Sequence, residues 1–167
     1  MNQKLRLFLF NAILAASYVV LTISLSFISY GAIQFRIAEC LMILVLFNYR
    51  YIYGLSIGVL VANIASPAAL IDMAFGTIAT IIALVLVIIS KKILPVFLRL
   101  IFIVIINALI VGWEISFFFG VSTSFWLNVG YVAIGEVAVV YAIGLPLYYL
   151  LKRNRKINQY LTNNSLE

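Results

Sequence analysis

Histidine is absent from the sequence, and cysteine occurs only once, as Cys40. A zinc site built from histidine or from several cysteines is therefore excluded, and so is a mechanism that relies on a catalytic imidazole. A single cysteine cannot form an internal disulfide, so thiol content says nothing about the compartment. Because a nucleophile–base pair is also missing, the sequence argues against an enzyme and indicates no metal or other cofactor.

Charged residues are scarce as well. They make up 10% of the 167 residues, whereas 66% are hydrophobic and the mean hydropathy is +1.20. Soluble domains are typically about half apolar and a quarter charged, so this chain lies outside that class. The net charge of +6 does not indicate nucleic-acid binding, because the basic residues punctuate apolar runs instead of lining a polar face. Nor does any segment match the glycine-rich phosphate loop of ATPases.

The apolar runs predict an all-α integral membrane bundle of six transmembrane helices, since each crossing needs roughly 20 apolar residues. The second predicted helix is short, so part of the loop 29–36, broken at Gly31, is expected to enter the membrane. A turn is expected at residues 120–124. The transmembrane domain is predicted to cover residues 1–156, and a polar, frayed cytoplasmic tail to cover 157–167. The six predicted helices are residues 5–28, 37–47, 52–65, 71–89, 98–119 and 125–151.

The placement of lysine and arginine predicts that both termini are cytoplasmic. With the N-terminus inside, ten of the eleven basic residues fall on the cytoplasmic side, and Arg36 alone falls outside. This asymmetry is strong under the positive-inside rule. Adding or removing one helix would break the alternation, so the helix count and the orientation support each other. We therefore expect a multi-pass cell-membrane protein surrounded by lipid.

Four acidic residues lie within or beside predicted helices: Glu39, Asp72, Glu114 and Glu136. A charge at the centre of a bilayer costs at least ~2.5 kcal/mol, so such residues are functional candidates. Helix rise places all four in the outer half or near the midplane, where they could line one cavity open to the outside.

Each acid also has a structural interpretation, and the sequence alone leaves both open. Asp72 suits a capping role at the start of its helix. Glu39 lies three residues after Arg36, at the spacing of an ion pair on one helix face. Glu114 and Glu136 are far from helix ends, so their structural alternative is a buried interhelical hydrogen bond.

Polar, aromatic and small residues extend the set of candidates. Asn107 lies seven residues before Glu114 and shares its helix face, and Asn63 lies in the outer half of the third predicted helix. Trp113 could form a flat wall for a ligand, although tryptophan often only marks the membrane interface. Ala12 and Ala16 form a small-xxx-small pattern, which permits close contact with another helix of this chain or of a partner.

Several segments together resemble the QueT family of queuosine-precursor uptake proteins. The resemblance spans about residues 10–150, and the combination of segments is specific although no single one is. The segments that carry it are 30–39 (YGAIQFRIAE), 71–80 (IDMAFGTIAT), 107–114 (NALIVGWE), 133–136 (AIGE) and 144–146 (GLP).

This resemblance implies the substrate-binding (S) subunit of an energy-coupling factor (ECF) transporter of the bacterial plasma membrane. Such six-helix subunits bind a micronutrient from outside and associate with a transmembrane coupling subunit and two cytoplasmic ATPases. The absence of a phosphate loop agrees with ATP hydrolysis by separate subunits. Ala12 and Ala16 are similar to the alanine motif with which these subunits meet the coupling subunit.

The implied substrates are 7-deazaguanines such as preQ1, preQ0 or queuine. Glu114 and Glu136 are expected to accept the N–H groups of the base edge or to bind the cation of preQ1, with Asn107 assisting. Asp72 and Glu39 would shape the mouth of the site, and Arg36 would fix the loop. An alternative is a proton-coupled secondary transporter of a small heterocycle, although six helices without a repeat offer little for alternating access.

Overall fold

The computed structural model describes residues 2–30, 33–118 and 124–162, and these parts of the chain are helical, without a β-strand. The all-α prediction is therefore confirmed there, whereas Gly31 and residues 120–123 of the predicted turn lie outside the described residues. Four of the described helices are long and apolar enough to cross a membrane. They are Gln3–Ser24, Ala69–Lys92, Val96–Phe118 and Phe125–Arg153, which correspond to the first, fourth, fifth and sixth predicted helices.

Regular α-helices alternate with shorter stretches of other helical winding. The α-helices are α1 (Gln3–Ser24), α2 (Ser26–Ser29), α3 (Ile52–Ala62), α4 (Ala69–Ile89), α5 (Val96–Phe118), α6 (Phe125–Val137), α7 (Leu145–Arg153) and α8 (Arg155–Thr162). Tighter 3₁₀ helices cover Ile37–Leu46, Tyr49–Tyr51, Asn63–Ala65 and Ser90–Lys92, and a π-helical stretch, Ala138–Gly144, joins α6 to α7.

The second predicted helix is the 3₁₀ helix Ile37–Leu46, and it runs through the centre of the bundle. It contacts α1, α4, α7 and the π-helical stretch, and seven of its ten residues are buried. At about 2 Å per residue it extends roughly 20 Å, which is short of the ~30 Å hydrocarbon core. The third predicted helix is α3 with a 3₁₀ turn at each end. Because neither segment has the length of an ordinary span, the described residues contain four helices that are long and apolar enough to cross a membrane, and six crossings stay a prediction.

The last long helix, Phe125–Arg153, changes its winding in the middle. Pro146 has no backbone N–H, and its ring crowds the carbonyl group four residues earlier. The π-helical stretch Ala138–Gly144 ends two residues before this proline, so the missing hydrogen bond accounts for the wider winding. The irregular stretch begins two residues after Glu136 and thus adjoins a candidate site residue.

Apolar packing fills one end of the bundle, where α4 ends and where α3 and α5 begin. Its core contains large side chains without solvent exposure, contributed by several of the helices. The largest are Tyr18, Tyr51, Met42, Ile43, Leu55, Leu84, Leu100 and Ile103. The acidic residues lie toward the other end, near the start of α4 and the end of α5.

The C-terminal segment differs from the expected frayed tail, because residues 155–162 form α8. Leu161 is 5% exposed, and the Tyr51 hydroxyl donates a hydrogen bond of 2.8 Å to its carbonyl oxygen. The Arg6 guanidinium lies 4.0 Å from the centre of the Tyr160 ring. A buried leucine, a hydrogen bond and a cation–π contact therefore tie this polar helix to α1 and to the 3₁₀ turn Tyr49–Tyr51 before α3. Residues 163–167 lie outside the described part.

Candidate functional site

Four acidic side chains are buried in the polar half of the bundle: Glu39, Asp72, Glu114 and Glu136. Their exposed fractions lie between 1% and 8%. They come from the 3₁₀ helix Ile37–Leu46, α4, α5 and α6, so four separate elements contribute one carboxyl group each. A buried carboxylate without partners is costly, and its neighbours decide what such a cluster can do. We call these residues and their neighbours, described below, the carboxylate cluster.

Arg36 is the cation of the cluster and pairs with Glu39. Its Nη1 lies 3.9 Å from Glu39 Oε1, which confirms the ion pair that the sequence spacing suggested. The hydroxyl of Tyr18 on α1 donates to the same oxygen at 2.5 Å. The guanidinium also lies 5.5 Å from the centre of the Tyr30 ring. Glu39 is thus anchored through one oxygen, and Arg36 is held between a carboxylate and an aromatic face.

Asp72 is anchored by the segment before α4. Its carboxylate accepts a hydrogen bond from the Ser66 hydroxyl, and its backbone carbonyl accepts one of 2.8 Å from Asn63. The helix begins at Ala69 after Ala68, and no side chain caps it. The capping interpretation of Asp72 is therefore wrong, because Ala68 occupies the cap position, and Asp72, the fourth residue of the helix, accepts from Ser66 instead of from the free amides of the first turn.

Glu136 is linked to α5 through Asn107, whose Nδ2 donates to Glu136 Oε1 at 3.2 Å. This is the buried interhelical hydrogen bond of the structural interpretation, but it engages only one carboxylate oxygen. Glu136 also lies within electrostatic reach of Glu39 and Arg36. The carboxylates of α6 and of the central 3₁₀ helix therefore face the same space.

Glu114 is the least solvent-exposed of the four acids, with 1% exposure. It lies within electrostatic reach of Asp72 and Arg36, which joins α5 to the start of α4. Asn107 shares its helix but donates to Glu136. The side chain of Glu114 thus faces the cluster, and one of its oxygens has no hydrogen bond within the described chain.

Five buried polar atoms of the carboxylate cluster have no hydrogen-bond partner among the described residues. Folded proteins leave few such atoms unpaired, and each costs about 1–3 kcal/mol. The five comprise four acceptors and one donor, so they match a ligand that carries several N–H groups. They are Arg36 Nε, Glu39 Oε2, Asn63 Oδ1, Glu114 Oε1 and Glu136 Oε2.

Two glycines allow the cluster to close. A Cβ on Gly135 would lie 2.3 Å from the carbonyl oxygen of Ile33, so the loop backbone occupies the place of a side chain. In that loop Gln34 has φ 50°, in the left-handed region that non-glycine residues seldom adopt. A Cβ on Gly76 would lie 2.7 Å from Asn63 Nδ2. Each glycine thus lets a polar segment approach a helix next to an acidic residue.

Three sequence candidates lie apart from the cluster. Trp113 is 42% exposed and stacks on Phe117 at 5.2 Å, with the Phe75 ring 5.3 Å away. Its side chain therefore faces the outer surface of the bundle. Ala12 and Ala16 are both exposed on α1, at the position that the small-xxx-small pattern needs for contact with another chain.

Three hydroxyl residues belong to the cluster that were not selected as site residues from the sequence: Tyr18, Tyr30 and Ser66. The Tyr30 hydroxyl donates to the Ala62 carbonyl at 2.5 Å and so ties the loop to α3. Tyr18 carried a usable signal, because a hydroxyl within an apolar helix needs a polar partner. Ser66 precedes Pro67 and is typical of a helix end. Tyr30 is typical of an interfacial aromatic.

The carboxylates do not converge on a single point. Within the described ranges, no group of three or more histidine, cysteine, aspartate or glutamate side chains is placed to hold a metal ion. Donor and acceptor atoms that approach from several helices suit an organic molecule with polar atoms along its edges.

Comparison with known proteins places this arrangement in a family. The family model described as QueT transporter matches residues 8–153. A stretch of 75 residues is 43% identical to the Queuosine precursor transporter QueT of Lactococcus lactis subsp. cremoris, and the match covers 44% of this chain and 44% of that relative. No solved structure gives a significant match. Because the family model extends over most of the sequence, the chain belongs to the QueT transporter family.

Proposed function

We propose that this chain is the substrate-binding subunit of an ECF-type importer that captures a queuosine precursor from outside the cell. The observation that carries the proposal is the carboxylate cluster, in which buried acceptors from four elements lack partners among the described residues. Membership of the QueT transporter family supports a queuosine precursor as the cargo. The relative with that printed substrate aligns over less than half its length, so the substrate is part of the proposal.

The chemistry of a 7-deazaguanine fits the unpaired atoms. Its guanine-like edge has two adjacent N–H donors, which one carboxylate can accept together. Glu114 is the best placed for this contact, because it is deeply buried and retains an unpaired oxygen. Asn107 and Glu136 already form a pair that could rearrange to bind the rest of the base.

The charge of the cluster favours a cationic precursor. Four carboxyl groups stand against the single guanidinium of Arg36. The aminomethyl group of preQ1 would offset part of this negative charge in a site of low dielectric constant, where charge pairs interact strongly. We therefore expect preQ1 to bind better than preQ0, which has the same ring but no amine.

The transmembrane topology proposed here has six crossings with both termini in the cytoplasm. Residues 49–65 combine α3 with two 3₁₀ turns and would extend about 28 Å, close to the ~30 Å hydrocarbon core. The 3₁₀ helix Ile37–Leu46 would cover about 20 Å, and residues 33–36 would supply the remainder. The ten-to-one distribution of basic residues supports this orientation.

Energy for uptake would come from partner chains. The sequence contains no glycine-rich phosphate loop, so a coupling subunit and two ATPases are proposed as partners. The exposed Ala12 and Ala16 on α1 offer a surface of small side chains on which a partner helix could pack closely.

The proposal is tested by calorimetry on the detergent-purified chain with preQ1, preQ0, queuine and riboflavin. We expect one deazaguanine to bind tightly and riboflavin to be inert. A folded sample that binds none of the deazaguanines would contradict the proposed substrate class.

The alternative of proton-coupled transport gains support from the proximity of Glu114 and Asp72, since neighbouring carboxyl groups on two helices can exchange a proton. Uptake of labelled preQ1 in cells separates the two mechanisms. Dependence on the ATPases supports the ECF assignment. Uptake that persists without them and collapses with a proton uncoupler supports the alternative.

A further inference from the structure

A second polar pocket lies at the opposite end of the bundle from the carboxylate cluster, where α4 ends and α5 begins. It has a volume of about 250 Å³ and is bordered by the end of the central 3₁₀ helix, by the turn that follows, and by Ile88, Lys91 and Arg99. The proposed transport function uses none of these residues.

Arg99 forms the buried wall of this pocket. It is only 5% exposed, and its Nε donates to the Val87 carbonyl oxygen at 2.9 Å, which fixes the plane of the guanidinium against the end of α4. A fixed guanidinium presents its remaining N–H groups as a fork that matches two oxygens of one anion.

Asn48 supplies a further donor. It is 2% exposed, and its Oδ1 accepts a hydrogen bond of 3.0 Å from the backbone N–H of Arg50. That bond fixes the orientation of the side-chain amide. The amide donor, Nδ2, has no hydrogen-bond partner within the described chain. A buried amide donor and a buried guanidinium thus lie in the walls of one pocket.

The charge in the pocket is uncompensated. Lys91 and Arg99 both line it, and neither forms an ion pair with a carboxylate of the described residues. The four described acids lie toward the other end of the bundle. Two cations and a spare amide donor call for an anion with several acceptor oxygens, and a phosphate group is the common biological anion of that kind.

We propose that the pocket formed by Asn48, Lys91 and Arg99 binds a phosphate group. In the topology proposed above the pocket lies at the cytoplasmic membrane surface, where both anionic phospholipids and free phosphate are available. The same chemistry serves both sources, and the experiment distinguishes them.

The test is thermal unfolding of the detergent-purified full chain with three probes: dioctanoyl-phosphatidylglycerol, dioctanoyl-phosphatidylcholine and inorganic phosphate. We expect phosphatidylglycerol or phosphate to raise the midpoint in a saturable way, and the zwitterionic lipid to have little effect. Saturation by phosphatidylglycerol alone identifies a lipid headgroup as the ligand, and equal saturation by inorganic phosphate identifies the free anion.

Two neighbouring lysines provide matched variants. K91Q removes a cation that lines the pocket, and we expect about a fivefold weaker affinity for the stabilising probe. K92Q removes the same charge from an exposed residue outside the lining and should leave the affinity unchanged. R99K keeps the positive charge at position 99 but removes the planar guanidinium that can donate two parallel hydrogen bonds. It should therefore weaken binding even though the charge is unchanged.

The proposal is overturned if neither phosphatidylglycerol nor phosphate shows saturable stabilisation. It is also overturned if K91Q and K92Q weaken binding equally, because the effect would then reflect the net charge of the surface. Gel filtration of each variant confirms that it is folded before binding is measured.

Discussion

At the scale of single residues, the buried polar atoms carry most of the information about function. Glu39 and Glu136 each use one carboxylate oxygen for a hydrogen bond within the chain and leave the other unpaired. The bonded oxygen fixes the side chain, and the unpaired one is available to a ligand. A buried carboxylate with one unpaired oxygen destabilises the protein when no ligand is bound. A ligand that donates a hydrogen bond to that oxygen removes this cost.

Glu114 provides the sharpest single-residue prediction. Glu114→Gln keeps the shape of the side chain but replaces one acceptor by a donor, so an N–H edge of the ligand meets a mismatched group. A hydrogen bond to a charged partner contributes about 1.5–3 kcal/mol, which predicts a loss of roughly 10- to 100-fold in preQ1 affinity. Calorimetry on the purified variant measures it.

Ser116→Ala is the control on the same helix, because the Ser116 hydroxyl donates to the Gly112 carbonyl and accepts from Asn128 on α6, and both bonds lie outside the carboxylate cluster. The loss of the bond to Asn128 affects stability and not the ligand contacts. This variant should bind like the parent protein. If Glu114→Gln also binds like the parent, Glu114 does not contact the ligand.

Tyr18 is predicted to matter for stability. Tyr18→Phe removes the hydroxyl that donates to Glu39 Oε1, so that this oxygen of a carboxylate 3% exposed keeps only its ion pair with Arg36 and has no hydrogen bond. We expect a loss of about 1–3 kcal/mol, seen as a lower midpoint of thermal unfolding. Tyr131→Phe is the comparison, because Tyr131 is 40% exposed and should tolerate the change. Equal midpoints for the two variants would contradict an anchoring role for Tyr18.

At the scale of elements, close approach of backbones decides the architecture. A Cβ on Gly112 would lie 2.9 Å from the backbone of Val129, so α5 and α6 pack through this glycine. A Cβ on Gly58 would lie 2.9 Å from the Cβ of Tyr18, so α1 and α3 do the same. In lipid such contacts replace the hydrophobic effect as the source of helix association.

Gly135 gives a prediction for the loop before the central 3₁₀ helix. Gly135→Ala places a methyl group on the carbonyl of Ile33, and overpacking of this kind typically costs about 1–3 kcal/mol. Because residues 33–36 carry Arg36 into the carboxylate cluster, we expect both the unfolding midpoint and preQ1 affinity to fall. Thermal unfolding and calorimetry measure the two effects.

Gly130→Ala is the matched control for this substitution. It lies in the same helix, and a Cβ there meets nothing within 4 Å in the described chain. Its midpoint should stay the same or rise slightly, since alanine favours helix more than glycine does. If the two alanine variants behave alike, the contact between the loop and α6 has no energetic importance.

At the scale of the whole molecule, polarity is divided between the two ends of the bundle. Four carboxyl groups gather toward one end, and the other carries Lys91, Arg99 and an apolar core. Under the positive-inside rule this division favours a cytoplasmic basic end, so the proposed topology directs the carboxylate cluster toward the outside.

The six-crossing topology predicts opposite accessibility for two surface positions. In a Cys40→Ser background, Ala65→Cys lies toward the carboxylate end and Lys92→Cys toward the basic end, and both positions are exposed. A membrane-impermeant maleimide applied to intact cells should label position 65 and not position 92. After permeabilisation both should react, which shows that both thiols are accessible. Labelling of position 92 in intact cells would reverse the proposed orientation.

The sequence alone determined the class of this protein, because hydropathy and charge act through local composition. Runs of apolar residues predict where helices lie whatever they pack against, and most helix bounds agree within a few residues. The four buried acids could be selected for the same reason, since a carboxylate in an apolar segment is anomalous by itself. The ion pair of Arg36 with Glu39 was predicted from their spacing and is present, although Arg36 precedes the 3₁₀ helix in an extended conformation and does not share a helix face with Glu39.

Only the tertiary structure decided which groups meet. Tyr18 and Glu39 are 21 residues apart and Asn107 and Glu136 are 29 apart, so neither contact follows from local spacing. The capping role for Asp72 was wrong because α4 begins at Ala69, and Ser66 binds the carboxylate instead. Trp113 faces outward although it adjoins Glu114, because successive helix residues point about 100° apart. Partners across a bundle are chosen by packing among helices, and packing is a property of the whole chain.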